Sequence, residues 1–84
     1  MKFYYITFRS VTFAQRGERV LSDAGFRCTL LRTPKWMEEK GCGYALRVWT
    51  MEIQNAVRLL QRSNVALRRL YIQNGDGQLE EMPL

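Results

Sequence analysis

The order of the secondary-structure patterns along these 84 residues constrains the fold more than any other feature of the sequence. Two stretches carry apolar residues at helical spacing, and each lies between stretches rich in β-branched and aromatic residues, which are typical of strands. The resulting order is strand, helix, strand, strand, helix, strand. It predicts a single small α+β domain in which a layer of helices covers a sheet.

The first half of the chain contains a strand, a helix and a second strand. Lys2 to Phe8 is rich in aromatic residues and is predicted as the first strand. Ser10 or Thr12 can cap the helix that follows, and Gly25 stands where that helix is expected to end. Phe26 to Arg32 is predicted as the second strand.

The second half repeats the alternation after a long loop. Tyr44 to Trp49 is predicted as the third strand because it carries aromatic residues and a valine, which disfavours the alternative of a longer helix beginning there. Thr50 can cap the second helix, and Val65 to Gln73 is predicted as the fourth strand. The apolar residues of the second helix follow i, i+3, i+4, i+7 spacing: Ile53, Ala56, Val57 and Leu60.

Right-handed crossovers turn this order into a ferredoxin-like βαββαβ two-layer sandwich, with a four-stranded antiparallel sheet and both helices on one face. The competing architecture is a three-stranded sheet with a longer second helix. We expect residues 1–74 to form the single ferredoxin-like domain, because Asn74-Gly75-Asp76-Gly77 is a strong turn signal. Residues 75–84 are predicted as a short, loose acidic tail.

The composition excludes several kinds of active site. The chain has no histidine, which removes Ser-His-Asp triads and Cys-His dyads. Its two cysteines, Cys28 and Cys42, cannot provide the four ligands of a zinc site on their own. We therefore expect no metal and no cofactor. Whether the protein is an enzyme stays open, and a stand-alone enzyme is the least favoured class because no acid–base pair or phosphate loop is recognisable.

The sequence also limits where the protein acts. No apolar run approaches the roughly 20 residues that span a bilayer, and the first residues lack the pattern of a signal peptide. We expect a cytoplasmic protein with no membrane contact. The net charge of +5 indicates attraction to anions but does not choose among nucleic acid, phosphate and acidic protein surfaces.

Cys42 is the candidate for chemistry because glycines flank it on both sides, in Gly41-Cys42-Gly43. Neighbours without side chains leave a thiol accessible. A thiol between a loop and a strand suits nucleophilic or sulfur-transfer chemistry, since the reactive thiolate needs access and positive surroundings. The alternative is that Cys42 is a small residue filling a turn.

The predicted topology gives this thiol electropositive surroundings. Cys42 is expected to lie near Ser10, at the start of the first helix, where unpaired N–H groups and the helix dipole favour anions. Arg9, Lys35 and Lys40 can add positive charge at the same edge of the sheet. Both effects lower the pKa of a thiol, so that no histidine base is needed.

These residues also carry a resemblance to a known family. The opening Phe-Tyr-Tyr-Ile-Thr-Phe strand, Thr33-Pro34-Lys35 and the run from Gly41 to Arg47 resemble the small bacterial family of selenium/sulfur carrier-like proteins, over roughly residues 3 to 73. The resemblance implies that Cys42 accepts sulfane sulfur or selenium from a donor protein and passes it to an acceptor protein.

Carried over residue by residue, the resemblance places Pro34, Lys35, Cys42 and Gly43 at motif positions of the family. The chain departs from the pattern in two places. Lys35 stands where the family often has arginine, and Glu38-Glu39-Lys40-Gly41 stands where it often has serine-rich sequence. Carboxylates that point toward the thiol would partly oppose its ionisation.

Two other functions stay open. The sheet could bind RNA through Phe3, Tyr5 and Tyr44, but the ribonucleoprotein motif is absent, so nucleic acid is not the partner we expect. The protein could also be an assembly subunit that forms a homodimer through an edge strand or the acidic tail. The expected partners are sulfur or selenium donor and acceptor proteins.

Overall fold

The computed structural model describes residues 1–33 and 43–84. These residues form seven elements: β1 (Lys2–Phe8), α1 (Val11–Asp23), β2 (Arg27–Arg32), β3 (Tyr44–Thr50), α2 (Ile53–Arg62), β4 (Arg69–Gln73) and β5 (Leu79–Met82). The strand order is β2-β3-β1-β4-β5, and every neighbouring pair is antiparallel. The described chain is therefore an α+β structure with two helices and a five-stranded antiparallel sheet. Neither helix is long and apolar enough to cross a membrane.

The prediction of four strands is wrong, because β5 adds a fifth strand at the edge beside β4. It lies in the segment that we expected to be a loose tail. The predicted turn folds the chain back: the Asn74 N–H donates to the Gln78 carbonyl at 2.8 Å. Gly77 supports the turn with a φ of +87°, which glycine adopts without steric cost.

Deleting residues 76–84 is expected to lower the free energy of unfolding by about 2 kcal/mol or more. The deletion removes Met82 from the core and leaves the outer hydrogen-bonding groups of β4 unpaired, each bond being worth about 1 kcal/mol. Urea denaturation followed by circular dichroism measures the change. Deletion of residues 83–84 alone, which spares β5, is the control. Equal stability of both truncated chains would show that β5 contributes nothing.

One hydrophobic core joins both helices to the same face of the sheet. Tyr4, Ile6 and Phe8 alternate along β1 and are all buried in this core, so they point toward one face. The helices contribute their buried residues to it: Ala14 and Leu21 of α1, and Ile53, Ala56, Val57 and Leu60 of α2. The apolar spacing predicted for the second helix is confirmed.

The two helices begin in different ways. Ser10, one of the two predicted caps, is the N-cap of α1, and its Oγ accepts a hydrogen bond from the Phe13 N–H at 3.3 Å. Thr50 was predicted to cap the second helix, and this is wrong. Thr50 ends β3 and its Oγ1 accepts from the Glu52 N–H at 3.0 Å, whereas Glu52 occupies the N-cap position without a side-chain bond to the helix backbone.

Candidate functional site

Three connections meet at the end of the sheet where α1 begins. Phe8, the last residue of β1, pairs with Tyr44, and Tyr44 pairs with Arg32 at the end of β2. The Arg68 N–H, just before β4, donates to the Thr7 carbonyl at 2.8 Å. We call this end of the sheet the α1 edge, and it comprises residues 7–10, 32–33, 43–44 and 68–69.

Three of the candidate residues from the sequence lie at the α1 edge. Arg9 and Ser10 connect β1 to α1, and Gly43 directly precedes Tyr44, the pairing partner of Phe8. The remaining candidates lie outside the described residues: Pro34, Lys35, Lys40, Gly41 and Cys42. A role of Arg9, Ser10 and Gly43 beside a thiol stays a prediction.

A backbone hydrogen bond joins the residues on either side of segment 34–42. The Thr33 N–H donates to the Gly43 carbonyl at 3.1 Å. Thr33 is 7 % exposed and Gly43 is also buried. The chain that enters and leaves segment 34–42 is therefore fixed at the α1 edge.

The hydroxyl of Thr33 is buried without a hydrogen-bond partner among the described residues. An unpaired buried hydroxyl costs about 1–3 kcal/mol, so such groups are rare in folded proteins. Thr7, also at the α1 edge, shows the usual situation. Its Oγ1 accepts from the Arg69 N–H at 3.0 Å and donates to the Arg69 carbonyl at 3.5 Å. The Thr33 hydroxyl thus differs from that of Thr7 in having no partner within residues 1–33 and 43–84.

The same substitution at these two threonines is expected to have different effects on stability. Thr7→Val removes both bonds to Arg69 and should lower the free energy of unfolding by about 1–2 kcal/mol. Thr33→Val removes a hydroxyl that has no partner in the described part of the chain, and should leave stability unchanged or raise it by about 1 kcal/mol. Urea denaturation of the two variants measures the difference. A loss at Thr33 equal to that at Thr7 would show that its hydroxyl has a partner.

The start of α1 makes the α1 edge electropositive. The first N–H groups of a helix have no partner within the helix, and the helix dipole adds partial positive charge there. The first turn of α1 contains no acidic residue. Arg9 is exposed immediately before the N-cap Ser10. This arrangement favours negative charge over positive charge near residues 8–10.

The second thiol, Cys28, is partly buried, in contrast to the accessible thiol predicted for Cys42. It lies in β2, is half-buried and packs against the core. Its Sγ lies 3.7 Å from the Glu18 carbonyl oxygen and 3.5 Å from the Ser22 Oγ. Burial raises the pKa of Cys28, the hydrogen bond with Ser22 lowers it in part, and the Glu18 carboxylate raises it further. The surroundings of Cys28 therefore disfavour its thiolate form.

A metal centre is not formed by the described residues. Within ranges 1–33 and 43–84, no group of three or more His, Cys, Asp or Glu side chains is arranged to hold a metal ion. Cys28 has Ser22 and a backbone carbonyl as neighbours, and neither is a typical partner of a thiolate in a zinc site.

The three aromatic residues that the sequence analysis named as a possible RNA-binding set do not lie on one face of the sheet. Tyr44 packs against the helix-side core and does not share a face with Phe3 and Tyr5. Phe3 pairs instead with Trp49, and Tyr5 pairs with Arg47. The face of the sheet away from the helices therefore carries a tryptophan and an arginine that sequence reasoning missed. Arg47 and Trp49 alternate with the apolar Val48 in the sequence, which indicates that they share the face opposite to Val48. Only the strand register shows that this face also carries Phe3 and Tyr5.

Comparison with known proteins assigns the chain to a family. Residues 3–72 match the family model described as "Putative Se/S carrier protein-like". The chain belongs to this family. The match to the Se/S carrier-like family includes both helices and the Gly41-Cys42-Gly43 segment, and it ends within β4, before β5. No curated protein and no solved structure matches the chain.

Proposed function

We propose that the protein carries sulfur or selenium on the thiolate of Cys42, taking it from one partner protein and delivering it to another. The match to the Se/S carrier-like family over residues 3–72 is the observation that carries this proposal. The residues that flank segment 34–42 support it, since Thr33 and Gly43 are hydrogen-bonded to each other at the α1 edge, the end of the sheet that also contains Arg9 and the start of α1.

The transfer needs no external oxidant. The Cys42 thiolate attacks the outer sulfur of a persulfide on the donor protein. The donor's sulfur–sulfur bond breaks, a new one forms at Cys42, and the donor leaves as a thiolate. In delivery, a nucleophile of the acceptor attacks the outer sulfur of the Cys42 persulfide, and Cys42 returns to a thiolate. Selenium follows the same course.

The thiolate does not require a histidine. Positive charge and a helix N-terminus are sufficient to lower the pKa of a cysteine thiol. Lys35 and Lys40 are near Cys42 in the sequence, and we propose that the thiol also lies close to Arg9 and the N-terminus of α1. Negative charge on Glu38 and Glu39, which are near Cys42 in the sequence, would counteract part of this charge.

The finer interpretation of the fold belongs to the same proposal. The first six elements follow the order β-α-β-β-α-β, and β2-β3-β1-β4 is the strand order that a ferredoxin-like sandwich requires, with β5 as an addition. A carrier of this kind requires donor and acceptor proteins as partners and does not require a homodimer. It suits the cytoplasm, where thiols stay reduced.

Mass spectrometry after incubation with a persulfide donor tests the function. The native protein is expected to gain one sulfur atom, which dithiothreitol removes. Cleavage after lysine and arginine separates the two thiols, with Cys28 in peptide 28–32 and Cys42 in peptide 41–47. The added sulfur is expected in peptide 41–47. Sulfur found mainly in peptide 28–32, or no gain at all, would contradict the proposal.

A further inference from the structure

The face of the sheet opposite the helices, which we call the open face, carries aromatic and basic residues on adjacent strands. Trp49 of β3 pairs with Phe3 of β1 on one side and with Arg27 of β2 on the other. One step along the same face, Arg47 of β3 pairs with Tyr5 of β1. Because paired residues share a face, these side chains form one continuous surface.

On the open face, Phe3 packs against Trp49, and the Arg47 side chain makes a cation–π contact with Phe3. The ring centroids of Phe3 and Trp49 lie 4.4 Å apart at an interplanar angle of 49°. The guanidinium carbon of Arg47 lies 4.9 Å from the centroid of the Phe3 ring, within the range of a cation–π contact. Phe3, Trp49 and Arg47 are each partly exposed. A ligand on this face can therefore contact the exposed parts of both rings and of the arginine.

A groove opens beside this pair and extends over the edge strand β2. Its volume is about 460 Å³, within the usual range of about 300–1,000 Å³ for ligand sites. Phe3 and Trp49 line it together with Arg27, Arg47 and Thr29, and none of the described residues that line it is acidic. The groove thus combines an aromatic wall with two guanidinium groups.

We propose that the open face binds single-stranded nucleic acid, with a base stacked on the Phe3–Trp49 pair and phosphates bound by Arg27 and Arg47. Aromatic residues on the adjacent central strands of an antiparallel sheet stack unpaired bases in RNA-recognition domains. Stacking of this kind tolerates any base, and arginine binds phosphate through two parallel hydrogen bonds. The net charge of +5 attracts the phosphate chain at a distance.

This proposal replaces the expectation that nucleic acid is not a partner. That expectation rested on a missing motif. The RNA-binding alternative named Tyr44 together with Phe3, whereas the register brings Trp49, Arg47 and Arg27 to the open face instead. An acidic peptide would use the two arginines but has no need of adjacent aromatic rings. The proposal goes beyond the sulfur-carrying function and does not involve Cys42.

Binding of a short fluorescein-labelled oligouridylate, followed by fluorescence anisotropy at low and moderate salt, tests the proposal with two matched double variants. Arg27→Gln/Arg47→Gln changes the open face, and Arg58→Gln/Arg62→Gln changes exposed positions on α2. Each removes two of the five net positive charges. The open-face variant is expected to bind at least about tenfold more weakly, with a salt slope smaller by about 0.7 per lost phosphate contact. The α2 variant should stay within about twofold of the native protein.

Equal losses in the two double variants would show attraction by net charge alone and would overturn the proposal, as would no binding by the native protein at low salt. Stacking is tested by Trp49→Leu, which is expected to weaken binding at least about fivefold. A duplex of the same length should bind more weakly than the single strand, because its bases are paired.

Two further measurements distinguish this proposal from binding of an acidic peptide and from the sulfur-carrier function. Oligoglutamate of the same charge should compete poorly, and competition as effective as that of the oligonucleotide would overturn the proposal in favour of acidic peptides. Cys42→Ser should bind the oligonucleotide like the native protein. Failure of sulfur loading therefore leaves this inference standing, and failure of binding leaves the carrier function standing. Circular dichroism confirms that each variant is folded.

Discussion

Replacing Cys42 by serine is expected to abolish sulfur loading from a persulfide donor completely, whereas replacing Cys28 by serine leaves it unchanged. A serine hydroxyl cannot form the sulfur–sulfur bond on which the transfer depends. We do not expect Cys28 to substitute for Cys42, because it is half-buried, burial raises its pKa, and its thiol contacts Ser22 and the Glu18 carbonyl. Intact mass after incubation with the donor measures loading in each variant.

The two single-cysteine proteins also provide the control for ionisation. In Cys28→Ser the remaining thiol is Cys42, and its alkylation by iodoacetamide is expected to begin at a lower pH than that of Cys28 in Cys42→Ser. The sign follows from the pKa of Cys28, which lies above the ordinary value and delays formation of its thiolate to more alkaline pH. Sulfur loading that survives in Cys42→Ser would contradict the carrier function proposed for Cys42.

Phe8→Ala is expected to lower the free energy of unfolding by about 3–5 kcal/mol, the usual cost of emptying a buried phenylalanine site. Phe8 is fully buried at the end of β1. Its ring lies against α1 at Gly17, where an added Cβ would come within 3.1 Å of the ring atom Cζ. Since native proteins are stable by about 5–15 kcal/mol, the variant should lose a large fraction of its stability. Urea denaturation measures the loss.

Phe3→Ala is the matched control for Phe8→Ala. Phe3 lies in the same strand but on the open face, where it is only partly buried against Trp49 and Arg47. We expect about 1–2 kcal/mol for its removal, since less of its surface leaves water on folding. Equal costs at Phe3 and Phe8 would contradict the assignment of Phe8 to the core and of Phe3 to the open face.

Local patterns were sufficient to predict most of the elements. The i, i+3, i+4, i+7 residues of the second helix form its buried stripe, because helix period and burial are properties of a short stretch of chain. Ser10 caps α1, and Gly25 follows that helix with a φ of +91°. The family resemblance drawn from the sequence is confirmed by the match over residues 3–72.

Features that depend on a partner strand were not predictable in the same way. β5 carries Glu80 and Glu81, which are poor strand formers, and it is a strand because the hydrogen-bonding edge of β4 is available to it. Thr50 looks like a helix cap but ends β3, since pairing with Lys2 of β1 extends that strand.

The sequence by itself determined most of the elements, the absence of histidine and the family, because residue type and spacing are local and can be counted along the chain. Only the tertiary structure decided which side chains share a face. Trp49 and Arg47 join Phe3 through the pairing of β1 with β3, two strands far apart in the chain. Strand register depends on the whole sheet, and a shift of one residue would move every one of these side chains to the opposite face.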